Sequence, residues 1–235
     1  MSGPFFKNVE SAASAIDVGL RSHMLRVYNF MGCGLAMTGL VAYFASTSMA
    51  LMSLLFSTPL YWLVALAPLG VVLFMSFRIE KIQPTTAQAL FWAFAALMGL
   101  SLSSVFLIYT GTSIATTFFI TSSMFLSMSI YGYITDTDLS KMGSILIMGL
   151  FGLIIASIVN LFLHNTMFEL VISLIGVVIF TGLTAYDTQK IKNQYLESDS
   201  AEIGHKKAIL GALSLYLDFV NLFLYILRFM GNRRD

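Results

Sequence analysis

The segment Ala208–Gly231, AILGALSLYLDFVNLFLYILRFMG, decides the fold class. From Ala208 to Leu227 its only charge is Asp218. An α-helix needs ~20 apolar residues to cross the ~30 Å hydrocarbon core of a bilayer, and this run supplies them. There an ionised carboxylate near the centre costs at least ~2.5–3.5 kcal/mol. A chain keeps such a residue only if something pairs with it, solvates it or uses it.

Six more runs of similar length precede it: Leu25–Ala45, Leu60–Phe77, Ala87–Tyr109, Ser113–Ile134, Gly143–Leu163 and Phe168–Tyr186, with the last span at Ala208–Met230. Of the 235 residues, 57% are hydrophobic and 11% charged, against roughly 25% charged in a soluble domain. Mean hydropathy is +0.83. Strands of a membrane barrel show short alternating segments instead. The expectation is an all-α membrane protein, a seven-transmembrane helix bundle forming one domain over 25–231. It is preceded by a polar arm over 1–24, cytosolic or a short interfacial helix, and followed by a short tail over 232–235. The single cysteine, Cys33, excludes a disulfide framework and a cysteine metal cluster. A net charge of +1 points to no nucleic-acid partner.

Charge placement orients the chain. The connections near 46–59, 110–112 and 164–167 hold no Lys or Arg, whereas the other side collects Lys7, Arg21, Arg26, Arg78, Lys81, Lys141, Lys190, Lys192, Lys206 and Lys207. The positive-inside rule then makes the N-terminus cytoplasmic. Arg228, Arg233 and Arg234 break the pattern, because seven crossings put them outside. Either the last segment re-enters and turns back, or the earlier loops override this short tail; seven crossings is the favoured reading.

Within the spans, Gly32, Gly34, Ala36 and Gly39 of the first and Gly149 and Gly152 of the fifth allow close approach of helix backbones. The fourth carries Thr116, Thr117, Thr121, Ser122, Ser123, Ser127 and Ser129, expected to bond between helices, with a wet polar lining as the alternative. Asp136 and Asp138 read as solvated loop residues. His23, His164 and His205 have no ligand-like spacing. There is no HExxH pair and no GxSxG elbow. An intramembrane aspartyl protease pairs a Tyr-Asp with a Gly-x-Gly-Asp; Asp187 does follow Tyr186, but Asp218 follows Tyr216 and Leu217. The chain is therefore expected not to be an enzyme.

Asp187, in GLTAYDTQKI, lies at the end of the sixth span, and Asp218 lies roughly 15 Å below a helix start at Ala208. Their contact requires the sixth helix to continue through Thr188–Ile191 and the seventh to start earlier, and spacing alone does not decide it. Two carboxyls in one low-dielectric site cannot both ionise cheaply, so they would share a proton. Arg78 would favour the ionised forms, and Asn221, three residues after Asp218, can hold the carboxylate or supply an amide ligand. Carboxylate oxygens also suit Ca²⁺.

Leu213–Gly231, LSLYLDFVNLFLYILRFMG, and Thr184–Ile191, TAYDTQKI, resemble the Bax inhibitor-1 family, and Asp17–Leu40 is similar to its bacterial members. The resemblance covers essentially the whole chain. It implies a bundle with the last helix central and a location in the bacterial inner membrane. It also implies a pH-sensing aspartate pair at Asp187 and Asp218, with Arg78 as the basic latch of the closed pore. The function implied is a pH-sensitive, Ca²⁺-permeable leak channel, with lipid, Ca²⁺ and H⁺ as partners and no cofactor. The competing expectation is a non-transporting regulator that binds another membrane protein, such as an AAA membrane protease.

Overall fold

Among the described residues seven helices are long and apolar enough to cross a bilayer, and they coincide with the seven expected spans. The computed structural model describes the backbone of residues 4–234 and the side chains of residues 18–234. Its helices are α1 (Pro4–Thr47), α2 (Met49–Phe56), α3 (Leu60–Arg78), α4 (Pro84–Leu102), α5 (Val105–Ile108), α6 (Gly111–Ile134), α7 (Ser140–Leu163), α8 (Thr166–Asn193) and α9 (Ala201–Met230). This is a multi-pass membrane protein. The helix starts are written locally. Thr110, Asn165 and Ser200 accept with their side chains from Ser113, Phe168 and Ile203 N–H, and Pro84 opens α4 where its missing N–H costs nothing. His164 ends α7 in the left-handed conformation, at φ 52°.

The last helix is the central one. It packs against α8, α1, α6, α4 and α3, whereas α7 packs mainly on α8 and α3 mainly on α4. Of its apolar window 61% is buried, against 33% or less for every other span. One face of α9 presents Tyr216 to Phe91 and Phe94 of α4, and the other sets Leu222 and Ile226 against Ile179, Phe180 and Leu183 of α8. Tyr216 donates to Thr38 Oγ1 at 2.7 Å, because Thr38 spends its own proton on the Ala95 carbonyl at 2.8 Å. One buried hydroxyl pair thus ties α9 to α1 and α4.

The expected arm boundary at residue 24 falls inside a helix: α1 runs unbroken from Pro4. From Val18 onward α1 packs on the α8–α9 connection, where Gly19 lies against the Tyr195 hydroxyl and His23 is buried with its ring 5.6 Å from that of Tyr195. The side chains of the arm before Val18 lie outside the described residues.

The expected close approaches are made at Gly34, where a Cβ would sit 3.1 Å from a Phe91 ring carbon, and at Gly149, 3.2 Å from Ile179. Gly32, Gly39 and Gly152 have nothing within 4 Å of that position. The tightest crossing was not anticipated: Gly132 of α6 lies directly on the Ala185 backbone of α8. Most fourth-span hydroxyls also depart from expectation. Thr121, Ser122, Ser123 and Ser127 donate to carbonyls four residues back on their own helix, and Ser129 alone among the described α6 hydroxyls bonds across helices. In lipid the nearest free acceptor is the helix's own carbonyl, so exposed hydroxyls fold back on it.

The chain ends where seven crossings put it. Thr110 N–H donates to the Asn232 carbonyl at 3.1 Å and Arg234 N–H to that of Ile108 at 2.8 Å, pinning the tail to the α5–α6 connection. Glu169 at the start of α8 answers the arginines, at 3.6 Å from Arg228 and 3.5 Å from Arg233. The re-entrant alternative is not adopted, because α9 is continuous from Ala201 to Met230.

Candidate functional site

Asp187 and Asp218 meet. The expected end of the sixth span at Tyr186 is too early: α8 continues to Asn193, which places Asp187 inside a helix, and α9 begins at Ala201 rather than Ala208. Thr184, Thr188 and Gln189 lower the local hydropathy but are buried against neighbouring helices, while Lys190 and Lys192 in the last turn favour the helix C-terminus. Lys192 reaches the Tyr133 carbonyl at 2.7 Å, and Gln189 holds the 135–139 connection through Leu139 N–H and the Thr137 carbonyl, both at 2.8 Å.

The packing register explains how the two carboxyls reach each other. Ile191 lies against Gly211 and Tyr225 against Gly176, so in this antiparallel pair Asp187 stands level with Ser214 and Leu215. That is about one turn, ~5 Å, from Asp218. Each side chain leans toward its own helix N-terminus. Antiparallel helices therefore lean the two aspartates toward one another along the axis, and their carboxyls come within hydrogen-bonding reach. Asp218 keeps 4% of its surface exposed and Asp187 is half-buried. Asp218 Oδ2 is buried with no hydrogen-bond partner among the described residues. Two carboxyl groups form a hydrogen bond only if one carries a proton, so the contact is complete in one protonation state and repulsive in the other.

A relay of hydroxyls abuts the pair. Thr188 donates to the Thr184 carbonyl at 2.7 Å, Ser129 to Thr188 at 2.9 Å, and Tyr28 to Ser129 at 2.6 Å. The direction follows because each hydroxyl has one proton. The chain links α1, α6 and α8 beside Asp187. Sequence reading missed it, since Tyr28 has the look of an interface aromatic; the signal available was Thr188, one residue after Asp187 and one turn after Thr184.

With this geometry in place, comparison with known proteins is decisive. The family described as "Inhibitor of apoptosis-promoting Bax1" matches residues 20–235. The chain belongs to the Bax inhibitor-1 family. A Rickettsia prowazekii protein is 51% identical over 225 residues, covering 96% of this chain and 95% of that protein. The "Inner membrane protein YbhL" of Escherichia coli strain K12 is 46% identical over 219 residues, covering 92% and 94%. A Borreliella burgdorferi protein is 48% identical over 214 residues, covering 90% and 92%.

Other site residues expected from the Bax inhibitor-1 resemblance are placed differently. Arg78 ends α3 exposed and makes none of the ion pairs among the described residues. The structure does not bring it to the aspartates; the cation whose charge reaches both carboxyls is Lys190, on α8 itself. Asn221 spends its amide on its own helix, donating to the Leu217 carbonyl at 2.8 Å, and does not bond Asp218. A helix-facing amide takes the i−4 carbonyl when no better acceptor is in reach. Asp136 and Asp138 are exposed, as expected.

A resident Ca²⁺ takes roughly six to eight oxygens. Asp187 and Asp218 supply two carboxyls, and no cluster of three or more His, Cys, Asp or Glu able to hold a metal occurs among the described residues. The donor set therefore does not fit a closed structural Ca²⁺ site. It fits a pair of carboxyls that share a proton.

Proposed function

We propose that this Bax inhibitor-1 family member is a pH-sensitive, Ca²⁺-permeable leak channel of the bacterial inner membrane, gated by the Asp187–Asp218 pair. The observation that carries the reading is the contact itself: two carboxyls within hydrogen-bonding reach, deep between α8 and the central α9. With one proton shared, the pair holds the two helices together and the path stays closed. As pH rises the proton leaves, and two carboxylates in a low-dielectric interior repel. Separation of α8 from α9 then exposes oxygen ligands to a hydrated Ca²⁺ moving down its gradient. Lys190, three residues after Asp187 on α8, is a cation beside the pair. The N-terminus is cytoplasmic in this reading, from the Lys and Arg bias of the loops, and the protein is a conduit rather than an enzyme. For a regulator acting only by binding another membrane protein, the pair would serve helix register alone and its proton would have no task.

The test is Ca²⁺ flux into dye-loaded liposomes across a range of pH. Wild type passes Ca²⁺ more readily as pH rises, and Asp187→Asn or Asp218→Asn removes the pH dependence. Flux equal to that of empty liposomes at every pH would sink the proposal.

A further inference from the structure

The outer face of α1 carries a polar track that the carboxyl pair does not use. Ser22, Arg26 and Asn29 follow one another at helical spacing and are exposed, with Arg21 beside them. They line one wall of an open cavity of about 570 Å³ that Phe30 and Trp92 continue into the apolar part of the bundle. Depth is fixed by aromatic contacts. The Phe30 ring lies 6.0 Å from Trp92 of α4 and 5.5 Å from His205, in the first turns of α9. Arg26, one turn before Phe30, therefore sits near the end of the bundle that holds Lys206 and Lys207, at the level where an apolar surface gives way to water.

Arg26 has no acid to answer it on its own helix: the positions three and four residues away are Ser22, His23, Asn29 and Phe30. None of the ion pairs among the described residues uses Arg21 or Arg26. Guanidinium donors at the rim, a hydroxyl and an amide beside them and an aromatic-lined apolar groove beyond match one kind of molecule. A phosphate takes the charge-assisted bonds while an acyl chain lies along the groove. A zwitterionic headgroup offers the phosphate with its charge cancelled, and among the described residues the lining holds two guanidiniums and no carboxylate, so the wall selects an anionic one.

We propose that the Arg21–Arg26 face of α1, opposite Trp92, binds an anionic phospholipid of the leaflet on the side of the 194–200 connection. The proposal is independent of ion conduction.

The chain has two tryptophans, so Trp62→Phe leaves Trp92 as a reporter in the groove. The full chain is reconstituted with phosphatidylglycerol brominated on its acyl chain in a phosphatidylcholine background, or with the bromine on the phosphatidylcholine. At equal mole fraction, the brominated phosphatidylglycerol quenches Trp92 several-fold more strongly. Arg21→Gln with Arg26→Gln abolishes that excess and leaves quenching by brominated phosphatidylcholine unchanged, whereas Arg21→Lys with Arg26→Lys retains much of it. Equal quenching by the two lipids, or an excess that survives loss of both charges, would overturn the proposal. So would an equal excess at Trp62 in a Trp92→Phe variant, because that reports general enrichment around the protein and not a site.

Discussion

Gly132→Ala should open the proposed channel without touching a titratable group. An ideal Cβ at Gly132 lies 2.9 Å from both the Cα and the carbonyl carbon of Ala185, and closer still to its carbonyl oxygen. Ordinary contact starts at 3.4 Å, so α6 and α8 must part by at least 0.5 Å, the difference of those distances. The obstacle is backbone, which cannot swing aside as a side-chain tip can. Ala185 stands two residues before Asp187, so the displacement is delivered to the carboxyl pair. An O–H···O bond spans roughly 2.5–3.0 Å, and a shift of this size consumes that whole range. Overpacking costs ~1–3 kcal/mol. Charged against the closed arrangement, this is roughly a 5- to 150-fold change in the closed-to-open ratio. Flux in dye-loaded liposomes should rise at a pH where wild type is closed, and the midpoint should move to lower pH, because less proton binding is needed to be lost before opening. Gly152→Ala, with nothing within 4 Å of the added carbon, is the matched control and should behave as wild type. Gly132→Ala with wild-type flux and midpoint would refute the link between the α6–α8 crossing and the gate.

The cation beside the pair is tested by comparing Arg78→Gln with Lys190→Gln. Arg78→Gln should leave the pH midpoint of flux in place, while Lys190→Gln raises it by about 0.2–0.7 unit, the equivalent of 0.2–1 kcal/mol for an exposed charge; the opposite pattern would restore Arg78 as the latch. Tyr216→Phe removes the donor to Thr38 and should cost ~0.6–1.7 kcal/mol, read as a lower unfolding midpoint in detergent with no change in the pH profile. Asp138, in the 135–139 connection, has its carboxyl held below the usual value by the Ser140 hydroxyl and then the Ser140 N–H, which bonds Oδ1 at 2.9 Å. Its contribution is present above the ordinary 3.8 and lost as pH falls through the lower folded value, so amide exchange in the first turn of α7 should quicken only in strong acid.

Span number and order were legible because hydrocarbon thickness imposes one length on every helix and the bilayer tolerates few charges. The helix ends near α8 and α9 were not. Hydropathy counts Thr188, Gln189 and Lys190 as outside the membrane, but the structure buries the first two against α6 and the 135–139 connection. A window over one strand of sequence cannot see that a polar side chain has a partner on another helix. The same blindness explains Arg228 and Arg233. Counted along the chain they contradict the loop bias; in space they face Glu169, and the guanidinium of Arg228 lies 5.5 Å from the Tyr225 ring.

The central carboxylate was visible in the last apolar segment, but its partner was not fixed by depth. Counting residues from approximate helix starts leaves Asp187 shallower than Asp218, and the structure agrees, by about one turn. What the count omits is direction. In parallel helices a one-turn offset would stay an offset, since both side chains lean the same way. Because α8 and α9 are antiparallel, each aspartate leans toward the other and the offset closes. Such a contact is made by side-chain lean rather than by level backbones, and it is therefore sensitive to sliding of one helix along the other. A slide of one residue, ~1.5 Å, is enough to make or break it. Such a slide would also move Ile191 off Gly211 and Tyr225 off Gly176, so the carboxyl pair and these two glycine contacts fix the same position.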